Sequence, residues 1–258
     1  MSWTTDEMMT VAAARSLGGA ITCFVGIGLP STAANLARRT SNPGLVLIYE
    51  SGTIGAKPEV LPLSIGDGEL VETADTVVAV PEIFNYWLQG GRCDVGFLGA
   101  AQLDRFANIN TTTIDRGEGR PPLRLPGAGG APEIAAHAGT VLIVVRHSPR
   151  VFVKRLSFVT SVGFGSGPDD RKRLDLPGSG PRRVITDLGV LEPDPETCEL
   201  TLTALHPGVE VEQARQATDW PLRIADDLAT TEAPTGDELA VLRDLQARTK
   251  EAHRARTA

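Results

Sequence analysis

The chain has 258 residues, of which 41% are hydrophobic, 22% charged and 5% aromatic. These values are those of an ordinary globular protein, and the length allows a sizeable core without disulfides or metal. The formal net charge of −7 without a long basic run argues against general nucleic-acid binding, and no apolar stretch approaches the length of a membrane span.

The cysteines and histidines are too scattered to form a recognisable framework. No CxxC pair or metal-ligand spacing occurs, so we predict no metal site and interpret the cysteines as small buried hydrophobes. The chain opens with Asp6 and Glu7 rather than the basic and apolar regions of a secretory signal. The sequence therefore predicts a soluble, cytoplasmic protein. The residues concerned are Cys23, Cys93, Cys198, His137, His147, His206 and His253.

The first elements are a helix, a strand and a second helix. Thr4-x-x-Glu7 has the form of a capping box and predicts a helix that stops before Gly18-Gly19. The apolar run Ala20–Val25 predicts a buried strand that leads into the turn Gly26-Ile27-Gly28-Leu29-Pro30. Pro30 suits the first turn of the helix that follows.

The middle of the chain alternates further apolar runs with helical stretches. Leu45–Tyr49 predicts a strand that ends at Glu50, Thr76–Val80 predicts another strand, and Glu82–Leu88 predicts a helix. Because these runs are continuous rather than alternating, they indicate a sheet covered on both faces. We therefore predict an α/β fold with an open, mainly parallel sheet and helices on both faces. The other strand candidates are Val95–Leu98, Leu123–Leu125, Val141–Val145 and Val184–Thr186.

Three segments depart from this alternation. Gln102–Thr113 predicts a hairpin beside the sheet, and the charged stretch Asp169–Arg173 between proline–glycine pairs predicts a surface excursion. Asp237–His253 predicts a polar terminal helix with three leucines on one side. We predict a single domain over residues 1–258, in which residues 168–258 form a C-terminal extension.

Glu50 is the first candidate for chemistry. It ends a predicted strand, and ligands of open α/β sheets bind outside the carboxyl ends of the strands. Gly52 and Gly55 follow closely and would admit a ligand or another backbone beside the carboxylate. The alternative interpretation is a surface residue at a strand end, as most glutamates are.

Two glycine clusters are candidate binding loops. Gly26-x-Gly28-x-Pro30 resembles half of a dinucleotide fingerprint, but Ser31 replaces the third glycine, so the signal for a nicotinamide or flavin cofactor is weak. A helix N-terminus there would still suit an anionic group. The segment Gly127–Pro132 precedes another predicted helix and would offer successive N–H groups to an oxyanion. For both clusters, an ordinary turn or loop is the competing interpretation.

Together these motifs resemble the β subunits of the family I coenzyme A-transferases over nearly the whole chain. Tyr49-Glu50-Ser51-Gly52 resembles the ESG form of the motif that carries the nucleophilic glutamate of the family, and Gly26–Pro30 resembles its N-terminal glycine–proline turn. Leu98–Asp104 with Asn108-Ile109-Asn110 resembles its G-A-x-Q-x-D…G-N-x-N segment, and Gly127–Ala131 resembles its G-x-G-G-A loop.

The resemblance implies the site and the partners. Glu50 would be the catalytic nucleophile, with Gly127, Gly129, Gly130 and Ala131 as the oxyanion and CoA loop. Gly26, Gly28, Ser51 and Gly52 would contact substrate or CoA. The family implies a homologous α subunit in a heterodimer or heterotetramer, an acyl-CoA and a small carboxylic acid as reactants, and no permanently bound cofactor or metal.

Among subfamilies, the ESGTIGAKP stretch and the C-terminal region resemble the 3-oxoadipate CoA-transferases of aromatic-compound degradation. The alternatives are a glutaconate-type transferase subunit, a CoA-thioester hydrolase or decarboxylase on the same fold, and a scaffolding subunit without chemistry. Two departures affect the comparison: Ala107 stands where the family has glycine, and Asp115-Arg116-Gly117-Glu118 replaces a common G-D-Y segment.

Overall fold

The computed structural model describes residues 2–257 as alternating helices and short strands. The elements up to the fifth strand are α1 (Thr5–Arg15), β1 (Thr22–Phe24), α2 (Leu29–Arg39), β2 (Val46–Ile48), β3 (Thr53–Ile54), α3 (Gly68–Glu72), β4 (Thr76–Val77), α4 (Val80–Glu82), a π-helix (Ile83–Leu88) and β5 (Val95–Leu98). The remaining elements are β6 (Gln102–Leu103), β7 (Ile109–Asn110), β8 (Thr113–Ile114), β9 (Leu123–Arg124), α5 (Ala131–His137), β10 (Thr140–Val144), α6 (Asp170–Arg173), β11 (Pro181–Ile185), β12 (Gly189–Pro193), β13 (Leu200–Leu205), α7 (Val211–Gln216), β14 (Arg223–Thr230) and α8 (Gly236–Thr257).

The chain forms two compact units, and the first is discontinuous. It runs to Phe97 and includes the chain from Ala233 onward, whereas the second comprises Leu98–Glu232. In the first unit the strand order is β5-β1-β2-β3-β4, with β1 parallel to both β5 and β2 and the outer strands antiparallel. Helices α1, α2 and α8 pack against one another in this unit.

The second unit has its own strands and core. Its order is β14-β13-β12-β11-β10, with parallel pairing at β10–β11 and β13–β14 and antiparallel pairing between. The strands β6 and β7 pair antiparallel as a separate hairpin, which confirms the hairpin predicted over Gln102–Thr113. The predicted α/β fold with an open, mainly parallel sheet is confirmed.

The burial of the strands explains their continuous apolar runs. All three residues of β1 and all four of β5 are buried, so neither face of these strands meets water. The helix α1 begins as its sequence predicts, because Thr4 Oγ1 accepts from the Glu7 N–H at 3.2 Å while the Thr4 N–H donates to the Glu7 carboxylate at 2.8 Å.

Some predicted elements differ from those observed. The strand predicted over Thr76–Val80 ends at Val77, because Pro81 fits the first turn of α4 and cannot donate to a sheet. The helix predicted over Glu82–Leu88 is mostly a π-helix, in which the Gln89 N–H donates to the Phe84 carbonyl five residues earlier at 2.8 Å.

The prediction that Asp169–Arg173 is only a surface excursion is wrong for Arg171. This side chain is 7% exposed and lies among backbone carbonyls rather than carboxylates. Its guanidinium donates to the carbonyls of Gly178 at 2.7 Å, Gly163 at 2.9 Å and Ala135 at 3.1 Å. Five fixed donors on one planar group allow arginine to join three segments in this way.

Candidate active site

Two of the segments predicted to form a site meet at the carboxyl edge of the first unit's strands. Strands β1 and β2 are parallel, with Phe24 opposite Ile48, and the Val25 N–H still donates to the Ile48 carbonyl at 2.9 Å. Gly26 and Glu50 each follow the last residue of their strand by two positions, at the same edge. The glycine–proline turn and the ESG motif therefore share the edge at which α/β proteins bind ligands.

Tyr49 fixes the end of β2 to the start of α2. Its side chain is fully buried, and its hydroxyl lies 3.0 Å from Ser31 Oγ and 3.4 Å from Asn35 Nδ2. Burial raises the pKa of Tyr49, which keeps the phenol neutral and able to donate. The backbone that carries Glu50 is thus tied to the first turns of α2.

Sequence reasoning did not identify the Tyr49, Ser31 and Asn35 cluster. A signal was present, since Asn35 is a polar residue within the alanine- and leucine-rich face of α2, where a buried amide requires a partner. Its partner on β2 is remote in sequence, however, and only the packing of α2 on the sheet identifies it.

The Glu50 carboxylate is half-buried and unpaired. Within residues 2–257 it takes part in no hydrogen bond or ion pair. The neighbouring hydroxyls of Ser51 and Thr53 are buried without a hydrogen-bond partner in the same part of the chain. A carboxylate whose lone pairs are not committed to protein donors can act as a nucleophile.

The N-terminus of α2 lies open on this edge. Gly28 is its N-cap residue, no side chain caps the helix, and no acidic residue occupies its first turn. The first N–H groups of a helix have no partner within the helix, and its dipole favours a negative group there. That Gly26 and Gly28 contact an anionic part of a substrate stays a prediction.

Gly52 brings the ESG motif against another backbone. Its N–H donates to the Tyr49 carbonyl at 3.0 Å, and its carbonyl accepts from the Val78 N–H at 2.9 Å. With φ at 108°, a Cβ at this position would collide with the Val78 carbonyl oxygen. The glycine is therefore required by the approach of the chain beyond β4, while its predicted contact with CoA, like that of Ser51, stays a prediction.

The second glycine cluster, Gly127–Ala131, lies in the second unit and has the form of an anion-binding nest. Gly129 has a left-handed φ of 50° and Gly130 has φ −82° and ψ 1°, an alternation that points successive N–H groups to one side. Within residues 2–257, the N–H groups of Ala128, Gly129 and Gly130 donate no hydrogen bond. The N–H groups of Gly127 and Ala131, which the sequence also placed in the oxyanion and CoA loop, donate to the carbonyls of Thr111 at 2.9 Å and Ala128 at 3.1 Å. That the amides of Ala128, Gly129 and Gly130 meet a carbonyl attached to Glu50 stays a prediction.

Two of the three cysteines are buried as the sequence predicts, whereas Cys198 is only partly buried. Residues 2–257 contain no group of three or more His, Cys, Asp or Glu side chains placed to hold a metal ion. Cys23 and Cys93 are buried free thiols, and burial raises the pKa of both, to about 12 for Cys93. Among the described helices, none is long and apolar enough to cross a membrane.

Comparison with known proteins identifies the family. The family model for Coenzyme A transferase matches residues 6–217. The chain is 63% identical to a 3-oxoadipate CoA-transferase subunit of Pseudomonas knackmussii, covering 98% of this chain and 96% of the relative. It is 32% identical to a glutaconate CoA-transferase subunit of Acidaminococcus fermentans, covering 94% of this chain and 92% of the relative.

The fold agrees with the sequence matches. A chain of the crystal structure of glutaconate coenzyme A-transferase from Acidaminococcus fermentans superposes with a TM-score of 0.86 at 31% identity, covering 94% of both chains. The resemblance inferred from the ESG motif and the glycine loops is thereby confirmed. The chain belongs to the coenzyme A-transferase family.

Proposed function

We propose that this chain is the nucleophile-bearing β subunit of a CoA-transferase that moves CoA from succinyl-CoA to 3-oxoadipate. A homologous α subunit completes the enzyme in a heterodimer or heterotetramer, and the cytoplasm is the proposed location. The observation that carries the proposal is the unpaired, half-buried Glu50 carboxylate at the same sheet edge as the uncapped N-terminus of α2. The identity of 63% to a 3-oxoadipate CoA-transferase subunit supports the choice of acceptor.

The first half of the proposed reaction stores CoA on the enzyme. A Glu50 carboxylate oxygen attacks the thioester carbonyl carbon of succinyl-CoA, and the C–S bond breaks to give a mixed anhydride and CoA thiolate. The thiolate then attacks the glutamyl carbonyl carbon and releases succinate. Glu50 now carries CoA as a thioester, and no net proton transfer is needed.

The second half repeats these steps in reverse. A carboxylate of the acceptor attacks the glutamyl thioester and releases the thiolate, which attacks the acceptor's acyl carbon and frees Glu50. Each attack develops an oxyanion, which the amides of Ala128, Gly129 and Gly130 are proposed to stabilise. Removing one such donor typically lowers the rate by about 10²–10³.

The test is reconstitution with the α subunit followed by substitution of Glu50. Glu50→Ala is expected to abolish exchange, because the variant lacks the carboxylate that is proposed to carry CoA. Hydroxylamine or borohydride should trap a modification at Glu50 in the wild-type complex only after incubation with the acyl-CoA, detectable by peptide mass spectrometry. Glu251→Gln, which removes an exposed carboxylate on α8, is the matched control and should keep full activity.

The acceptor is decided by assaying succinyl-CoA against 3-oxoadipate, glutaconate and acetoacetate. The highest kcat/KM is expected with 3-oxoadipate, and a preference for glutaconate would reject that assignment while leaving the transferase mechanism intact. Release of free CoA without any acceptor would identify a hydrolase instead. Normal exchange by Glu50→Ala would reject the nucleophile and leave the chain a structural subunit.

A further inference from the structure

The β6–β7 hairpin holds a buried pair of amide side chains. Gln102 and Asn110 lie opposite each other in the register, and their exposed fractions are 8% and 0%. The Asn110 Nδ2 donates to the Gln102 Oε1 at 2.9 Å. Both residues fall within the motif shared with the family, and neither has a role in the transfer proposed above.

Asn110 also organises the turn that follows it. Its Oδ1 accepts from the N–H groups of Thr112 at 3.0 Å and Thr113 at 3.3 Å, and its Nδ2 donates to the Thr113 carbonyl at 2.7 Å. Both the oxygen and the nitrogen of this buried side-chain amide are therefore hydrogen-bonded. A buried amide that satisfies its partners fixes them in one geometry.

The turn holds the segment that leads into the second glycine cluster. The Leu125 N–H donates to the Thr112 carbonyl at 3.0 Å, and the Gly127 N–H donates to the Thr111 carbonyl at 2.9 Å. Thr160 also holds the turn, since its Oγ1 accepts from the Thr111 N–H at 2.8 Å. Gly127 is thus the last fixed donor before the unpaired amides of Ala128, Gly129 and Gly130.

We propose that Asn110, supported by Gln102, is a positioning residue for the transfer reaction, because it sets the place of the oxyanion-binding amides through the Thr111–Thr113 turn. The inference rests on the proposed function of the glycine cluster. Donors stabilise a transition state only when they are already aimed at the developing charge, and displacements of about 0.5 Å already weaken such a site.

A purely structural role is the competing explanation, and Asn108 provides the matched control. It lies in the same hairpin segment, is 4% exposed and also satisfies its amide. Its Oδ1, however, accepts from the N–H groups of Gly163 at 2.9 Å and Gly165 at 3.0 Å, and its Nδ2 donates to Asp104. It makes no hydrogen bond to the turn or to the segment before the glycine cluster.

The experiment compares Asn110→Ala with Asn108→Ala in the reconstituted α–β complex, assayed well below the melting temperature of each variant. Both should lower the Tm, because each loses several buried hydrogen bonds. Asn110→Ala alone should accelerate hydrogen exchange at Leu125 and Gly127 and lower kcat by at least about tenfold, with the KM for acyl-CoA changed less than about threefold. Asn108→Ala should keep kcat within about twofold.

Equal losses of kcat in the two variants, or unchanged exchange and kcat in Asn110→Ala, would overturn the inference. If Asn110→Ala does not fold, Gln102→Leu replaces it, with a smaller change in the same direction expected. The two proposals fail differently. Activity that does not depend on Glu50 rejects the proposed function, whereas Glu50-dependent activity that Asn110→Ala and Gln102→Leu leave unchanged rejects only the positioning role.

Discussion

Gly52 connects the sequence motif around Glu50 to a backbone requirement. Its φ of 108° lies in a region that residues with a side chain rarely adopt, and the Val78 carbonyl oxygen occupies the space where a Cβ would lie. The conformation brings Tyr49, Gly52 and Val78 into one hydrogen-bonded turn beside the nucleophile. The glycine of the ESG motif is therefore explained by geometry before any contact with CoA is considered.

Gly52→Ala is expected to destabilise the protein by about 3 kcal/mol, since a strained φ costs about 1–3 kcal/mol and overpacking a similar amount. Urea unfolding of the variant and the wild type measures the difference. Gly44→Ala is the control, because its φ is ordinary and nothing lies within 4 Å of the added methyl group; it should change stability by less than about 0.5 kcal/mol. Equal stabilities of the two variants would contradict this account of the turn.

At the scale of elements, a buried histidine joins the ends of β10 and β11 to α7 in the second unit. The Nε2 of the His147 ring lies 2.8 Å from Thr218 Oγ1. The backbone N–H of His147 donates to the Asp187 carboxylate at 2.7 Å. The ring stacks on Phe152 with centroids 3.8 Å apart. Burial lowers the pKa of His147 to about 4, against the opposing effect of Asp187.

This burial predicts a loss of stability in mild acid. An unfolded histidine titrates near pH 6.5, so between about pH 6.5 and 4 the unfolded chain binds a proton that native His147 does not. The free energy of unfolding should fall through this window by up to about 3 kcal/mol from this residue, and the contribution is fully present above pH 7. Burial lowers the pKa of His206 as well, so this residue should also reduce the free energy of unfolding as the pH falls.

Urea unfolding at several pH values tests the effect. His147→Gln should show a shallower dependence on pH than the wild type between pH 6.5 and 4. Ser179→Ala, which removes an exposed, uncharged hydroxyl in the same unit, is the control and should keep the wild-type dependence. A wild-type slope in His147→Gln would show that the acid sensitivity has another origin.

At the scale of the whole molecule, the C-terminal helix completes the unit formed by the N-terminal part of the chain. Leu239, Leu242 and Leu245 on α8 are 1%, 0% and 0% exposed, which confirms the predicted apolar side. Two ion pairs join α8 to α1, Arg15 with Glu238 at 2.7 Å and Arg243 with Glu7 at 2.6 Å. The hydrogen bond from Arg243 lowers the pKa of Glu7 to about 2.

Leu242→Ala should therefore weaken the first unit specifically. Large-to-small changes in a core typically cost about 2–5 kcal/mol. Hydrogen exchange followed by mass spectrometry should show lost protection in α1 and α2, while β10–β13 of the second unit stay protected. Leu63→Ala, at a side chain that is 56% exposed, is the control and should leave the hydrogen-exchange protection of both units unchanged. Equal loss of protection in both units would show that they unfold as one.

The sequence by itself determined the elements and motifs that depend on local interactions. The capping box at Thr4, the strand Val95–Leu98 and the hairpin around Asn108 all follow from patterns within a few residues. The place of Glu50 at the end of a parallel strand follows in the same way, because a buried strand and its end are read from one apolar run. The family resemblance used the order of such motifs along the chain.

Only the tertiary structure decided which remote residues meet, because those contacts depend on the packing of elements rather than on neighbours in sequence. The burial of Arg171 among carbonyls, the Tyr49–Ser31 contact and the hydrogen bonds from Leu125 and Gly127 to the turn after Asn110 have no local pattern that names both partners. The packing of α8 in the first unit was also decided by the tertiary structure. An amphipathic helix can pack on any apolar surface of suitable size, so its sequence does not specify which one it covers.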